Sequence, residues 1–127
     1  MASPPRHRYG SGSSQYGELL VPDGDGPHPV AVVVHGGFWR ATYGRKLMWP
    51  VCGDLVRRGW AVWNLEYRRI GLNSGGGWPA TFEDVRDGVA HLERLDGLDL
   101  DRVVTVDQIG EGISRLADAV RSLGVTA

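Results

Sequence analysis

Val30-Ala31-Val32-Val33-Val34-His35-Gly36-Gly37-Phe38-Trp39 changes character in the middle, and that change decides the fold. Five aliphatic residues in a row, with no polar alternation, suit a strand covered on both faces, as in a parallel sheet held between helices. The strand is expected over residues 30–35, near the centre of its sheet. A pair of glycines follows at once. In open α/β sheets ligands bind at the carboxyl ends of the strands. Two residues without a Cβ let main-chain N–H groups come close to a bound atom there. Several donors aimed at one oxygen are what stabilises charge developing on a carbonyl oxygen.

Working outward, apolar runs alternate with helical spacing, the pattern of strands covered by helices. Residues 16–21 read as a strand closed by Pro22-Asp23-Gly24-Asp25-Gly26-Pro27, residues that preset or permit turn dihedrals. Leu47, Met48, Val51 and Leu55 recur at helical intervals over 47–58, with Pro50 in the first turn and Gly59 as the stop. A strand over 60–66 and a glycine-rich loop over 67–78 follow. Pro79 or Thr81 then opens a helix whose apolar face is Phe82, Val85, Val89, Leu92 and Leu95, ended by Asp96-Gly97. A strand over 102–106 leads to a last amphipathic helix carrying Ile109, Ile113, Leu116, Ala117, Val120 and Leu123, stopped by Gly124. The order β-β-α-β-α-β-α predicts a three-layer α/β/α domain over 15–127, with a mostly parallel sheet of about four strands and three helices. Residues 1–14, rich in Pro, Gly and Ser, are expected to be a disordered leader or the remnant of an upstream strand, outside the core.

The chain's 127 residues suit one domain, and its 14 basic and 15 acidic residues are mixed along it. No field is organised to collect nucleic acid or an anionic membrane. Cys52 is the only cysteine, which excludes an internal disulfide and fits a reducing, cytoplasmic setting. No apolar run is long enough for a membrane span. Asp23-Gly24-Asp25-Gly26 lacks the remaining ligands of a calcium loop, and Gly75-Gly76-Gly77 lacks the Lys-Ser/Thr of a phosphate loop. No metal and no cofactor are expected. Glu83, Asp84, Asp87 and Glu93 follow the solvated face and acidic first turn of an ordinary helix. The five tryptophans, without a basic groove, fit core and cleft walls better than base stacking.

Several segments in order carry a resemblance: residues 30–40, Gly59-Trp60-Ala61-Val62-Trp63-Asn64-Leu65-Glu66-Tyr67-Arg68, Gly77-Trp78-Pro79-Ala80, and Asp84 with 87–92. Together they resemble α/β-hydrolases of the esterase, lipase and kynurenine-formamidase kind, over about residues 15–106. The resemblance implies that His-Gly-Gly is the oxyanion-hole loop placed after a central strand. Gly36, Gly37 and Phe38 would then supply the oxyanion donors, with His35 and Trp39 in support. It further implies a small ester or amide substrate, with Tyr67 and Trp78 as candidate walls of its cleft.

The chain departs from that family after Val106. There a strand runs into G-x-S-x-G, whose strained turn presents a serine hydroxyl. Here Asp107-Gln108-Ile109-Gly110-Glu111-Gly112 follows, with Ile109 in the serine's place. Ser114 falls inside the expected last helix. No histidine follows His91, which itself falls in the second helix as a surface or packing residue. No catalytic nucleophile, acid or base is therefore assigned, and the isolated chain is expected to be inactive. Without further strands, 102–106 becomes a sheet edge with exposed valines, open to self-association or to a complementing fragment. The break at Val106/Asp107 fits a truncation, a frameshift, a fusion or a remodelled family member.

Overall fold

The computed structural model describes residues 4–34, 49–68, 76 and 79–107. Its strands are β1 (Arg6–Arg8), β2 (Tyr16–Leu20), β3 (His28–Val34), β4 (Ala61–Leu65) and β5 (Leu98–Asp107). Two helices, α1 (Trp49–Arg57) and α2 (Ala80–Ala90), lie between them, and a 3-10 turn (His91–Arg94) extends α2. The strands form one sheet in the order β1-β2-β4-β3-β5. β3 runs parallel to both β4 and β5, whereas β1 and β2 are antiparallel additions at the far edge.

Alternation along β3 explains the layers. Val30, Val32 and Val34 join Trp63, Leu65, Val89 and Leu92 in one core, so they meet α2 and its 3-10 extension. Ala31 and Val33 join Val62 and Cys52 in a second core beneath α1, with Leu55 and Val56 packed against it. One strand thus fills both interfaces, which is why it carries no polar residue between Val30 and Val34, all at most 3% exposed. The expected central strand and three-layer α/β class are what the structure has.

Helix ends follow local chemistry. Gly59 adopts φ +94°, its N–H bonds to Val56 O at 3.0 Å, and Trp60 N–H reaches Leu55 O at 3.1 Å. This pairing of bonds around a left-handed glycine is a Schellman motif. It ends α1 and turns the chain directly into β4. The Trp63 indole lies over Gly17, where a Cβ would collide with the ring, and its Nε1–H donates to Gly88 O at 3.0 Å. Gly88 is confined in the same way, because a Cβ there would collide with Leu65 Cδ1.

Two expectations are refined. Of the two alternatives for the leader, disorder or a strand remnant, residues 6–8 take a strand: they form β1, part of the sheet and paired through Arg6↔Glu18 and Arg8↔Tyr16. The sheet therefore has five strands and mixed directions. Polar, proline-rich residues can hold an edge strand because only one of their sides needs partners. The last strand also begins at Leu98 rather than Arg102. A shift in register sets Pro29 opposite Asp99 but Val30 opposite Val103. The irregular stretch is held by Asp99, whose carboxylate accepts from Asp101 N–H at 3.0 Å and Arg102 Nε–H at 2.7 Å. Polar residues at 99, 101 and 102 hide this strand, because β pattern is read from apolar alternation. The expected third helix, over 109–123, lies outside the described residues. Among those described, no helix is long and apolar enough to cross a membrane.

Candidate active site

The parallel strands end side by side: Val34 of β3 pairs with Leu65 of β4 and with Asp107 of β5. His35, Gly36, Gly37, Phe38 and Trp39 come next in sequence after Val34 and lie outside the described residues. So do Trp78, Ile109 and Ser114. What is described is the rim formed by the carboxyl ends of β3, β4 and β5.

At the end of β4 the chain is tied down by a run of polar contacts. Glu66 N–H donates to Tyr16 O at 2.9 Å, and Glu66 O accepts from Tyr9 Oη–H at 2.6 Å. Burial, reinforced by the charges of Asp84, Glu66 and Asp87, holds the Tyr9 phenol well above its ordinary range, so it remains a donor. Tyr67 N–H donates to Glu66 Oε1 at 3.0 Å. The Tyr67 side chain is fully enclosed within the α2-side core. That is a packing position.

Arg68 makes the strongest contact of this region. Its Nε–H and Nη2–H donate to Asp84 Oδ2 at 2.9 Å and Oδ1 at 2.8 Å, a two-pronged ion pair. Arg68 main-chain N–H adds a bond to Oδ2 at 2.9 Å, and Gln15 Nε2–H adds one to Oδ1 at 2.9 Å. Thr81 Oγ1–H closes the ring by donating to Arg68 O at 2.5 Å. The Asp84 side chain is fully buried, and four donors satisfy it. The clamp binds the end of β4 to the first turns of α2 and to the residue preceding β2. The expectation that Asp84 is one of several solvated helix carboxylates is thereby corrected. The signal for its role is the pairing of Glu66-Tyr67-Arg68 with Asp84 within the resemblance.

A second polar cluster lies on the α1 side. Glu18 is fully buried, and its Oε1 accepts from Trp49 Nε1–H at 2.9 Å and Asn64 Nδ2–H at 3.1 Å. Burial, and then the Glu18 charge, push the Cys52 thiol up to about 12, so it stays protonated and inert at neutral pH. Sequence reasoning misses this cluster; its only signal is a polar residue, Glu18 or Asn64, within each of two otherwise apolar strands.

His91 stacks on Trp63, with centroids 6.1 Å apart and planes at 17°. Burial first, then the charges of Arg94 and His7, hold its imidazole below the usual histidine range. Its place is that of a packing residue. A shallow depression of about 310 Å³ lies beside it, lined by Tyr9, Asp87, Ala90, His91, Glu93 and Arg94. Tyr67, the expected site residue that is described, is not among its described lining residues. Among the described residues no group of His, Cys, Asp or Glu is arranged to hold a metal ion.

Comparison with known proteins agrees with this architecture. The BD-FAE family model matches residues 19–103, more than half of the chain. Among solved structures the chain is similar to a bacterial heroin esterase, at 28% identity and TM-score 0.69, over 87% of this chain and 36% of that one. It is also similar to esterase B of Lactobacillus rhamnosis, at 23% identity and TM-score 0.71, over 95% of this chain and 43% of that one. A bifunctional GH43-CE protein of Bacteroides eggerthii matches at 22% identity and TM-score 0.66, over 80% of this chain and 15% of that one. The match thus covers well under two thirds of the length of each of these structures. No protein of curated function matches the chain. With the family match running from β2 into β5, and esterases sharing this sheet, the chain belongs to the BD-FAE family and carries part of an esterase-type α/β-hydrolase fold.

Proposed function

We propose that this chain supplies the oxyanion-loop half of a site that hydrolyses small carboxylic esters or amides, with main-chain N–H groups of Gly36, Gly37 and Phe38 as the donors and His35 and Trp39 as their support. One observation carries the reading. A central strand, buried on both faces, ends at Val34 between the carboxyl ends of two parallel neighbours, and the glycine pair begins two residues further on. Donors leaving that rim are suited to a carbonyl oxygen, and each such donor is worth about 2.7–4 kcal/mol in the transition state where one has been removed.

The nucleophile is the missing part of the reading. Ile109 occupies the place two residues past β5 where the family's turn presents serine, and an alkyl side chain has no lone pair with which to attack the carbonyl carbon. Loss of a triad leaves only about 10³–10⁴-fold over water even in an intact pocket. Purified protein is therefore expected to hydrolyse a short-chain aryl ester at the rate of buffer. Turnover that survives repurification and saturates with substrate would refute the assignment of Ile109.

A second reading, a non-catalytic binding piece, is favoured by β5. That strand lies at the edge of the described sheet, and Val104 is 36% exposed. An edge of this length offers unpaired main-chain groups to a second copy or to a complementing fragment. Sedimentation equilibrium is expected to show concentration-dependent self-association, weakened by Val104→Lys. A monomer at all concentrations would remove this reading. The buried thiol of Cys52 is consistent with a cytoplasmic location.

A further inference from the structure

Two histidines flank the Trp63 indole. His7 of β1 meets it with ring centroids 6.2 Å apart and planes at 50°, and His91, the first residue of the 3-10 turn, stacks on it at 6.1 Å and 17°. Trp63 has no accessible surface, whereas both histidines are partly buried, so water reaches the imidazoles but not the indole. Each comes from a different part of the chain. His7 stands opposite Gly17, the residue whose missing Cβ leaves room for the indole, so the ring contact ties β1 to the core as well as to β2. His91 N–H is bonded to Asp87 O at the end of α2, which holds the backbone while the side chain can still turn. β1 itself has three residues and pairs with β2 alone in the described sheet.

The groups around His91 decide what a proton does there. Glu93 and Arg94 on its own turn and Asp87 on α2 are all exposed, and their signs oppose one another. Tyr9, which follows β1, is an uncharged phenol. Arg6 and Arg8 point to the other face of β1, Arg6 over the Tyr16 ring and Arg8 to Gly12 O. On β5 the Asp99 carboxylate is taken by Arg102 Nε–H and Asp101 N–H, and β4 has no charged residue. Water screens the exposed charges, so lost hydration of the ring is the larger effect. Burial first, then the charges of Arg94 and His7, hold the His91 imidazole below the usual histidine range. We propose that His91 is an acid-released latch. Uncharged, its ring stacks on Trp63 and, with His7 against the same indole, joins β1 to the end of α2. On taking up a proton from solvent it leaves the indole for water, and β1 loosens from the sheet. Because the folded-state value is the lower one, the contribution is fully present above the ordinary histidine value, about 6.5, and is lost as the pH falls below it. The latch does not depend on the esterase reading.

Amide hydrogen exchange of the full isotope-labelled chain tests it, read as protection factors so that the intrinsic pH dependence of exchange is removed. Two amides report on the attachment of β1: Tyr9 N–H, bonded to Gln15 O at 3.0 Å, and Leu19 N–H, bonded to Pro5 O at 3.1 Å. Between about pH 7.5 and about pH 5 their protection is expected to fall about three-fold or more, while that of Val32 in β3 holds. The ring protons of His91 should titrate below the usual histidine value. His91→Phe keeps an uncharged ring and should abolish the fall; if that variant does not fold, His91→Gln, also uncharged, decides in its place. His7→Phe should leave the fall in place, because His91 is the group that takes up the proton. The proposal would be overturned by no fall in the wild type, by a fall of the same size without His91, or by an equal fall at Val32. Titration of His91 at or above the usual histidine value would overturn it as well.

Discussion

Trp63→Ala is expected to cost about 3–5 kcal/mol of folding stability, the range for deleting a large buried aromatic. Trp63 has no accessible surface, spans the core between the sheet and α2, and donates to a main-chain oxygen of α2. A loss of that size is a large part of the roughly 5–15 kcal/mol that separates most folded domains from their unfolded state. Urea denaturation would measure it. The companion variant is Gly17→Ala. In the native background its methyl group must displace the aromatic ring above it, which should cost about 1–3 kcal/mol. In the Trp63→Ala background that ring is gone, so the same methyl group should be neutral or stabilising. Additive losses would show that the ring does not define the space above Gly17.

Arg68→Ala is expected to cost about 2–3 kcal/mol. Stripping the partner from a buried charge costs about 3–5 kcal/mol in general. Here the loss is smaller because Gln15 Nε2–H and the main-chain N–H of residue 68 still donate to Asp84. The Arg68 side chain is also 34% exposed, so water already shares its charge. Asp84→Ala alone should be damaging too, by leaving three donor groups without their acceptor. The double variant is then expected to be more stable than the sum of the single losses predicts, with a coupling of about 1–3 kcal/mol. The exposed pair Arg58–Asp54, 2.9 Å apart on α1, serves as the control and should show no comparable coupling. Equal behaviour of the two pairs in thermal melts would contradict the clamp.

Features set by neighbours along the chain are legible in the sequence alone. The aliphatic run of β3 announces a strand buried on both faces. Gly59, two residues beyond Arg57, announces the end of α1, and the Schellman bonds there are local. Features set by partners far apart in the chain are not legible in this way. Tyr9 reaches Glu66, Arg68 reaches Asp84, and Glu18 meets Asn64 and Trp49, separations no periodicity encodes. β1 is hidden because an edge strand needs no apolar alternation, and the start of β5 because its irregular stretch is polar. The proposed site is legible only as a motif, His35-Gly36-Gly37, whereas the enclosure of Tyr67 depends on packing from α2. The resemblance to esterases, by contrast, lies in several short segments in order, and the family match over residues 19–103 rests on the same stretch of chain.

The proposed function requires main-chain amides beyond β3 to bind a carbonyl oxygen. Titrating the isotope-labelled chain with a short-alkyl phosphonate monoester, followed by amide correlation spectra, tests it most directly. Saturable shifts led by Gly36, Gly37 and Phe38 are expected, and they should be lost in Gly37→Pro, which removes one donor. Saturable shifts centred elsewhere, or none at those three amides, would contradict it.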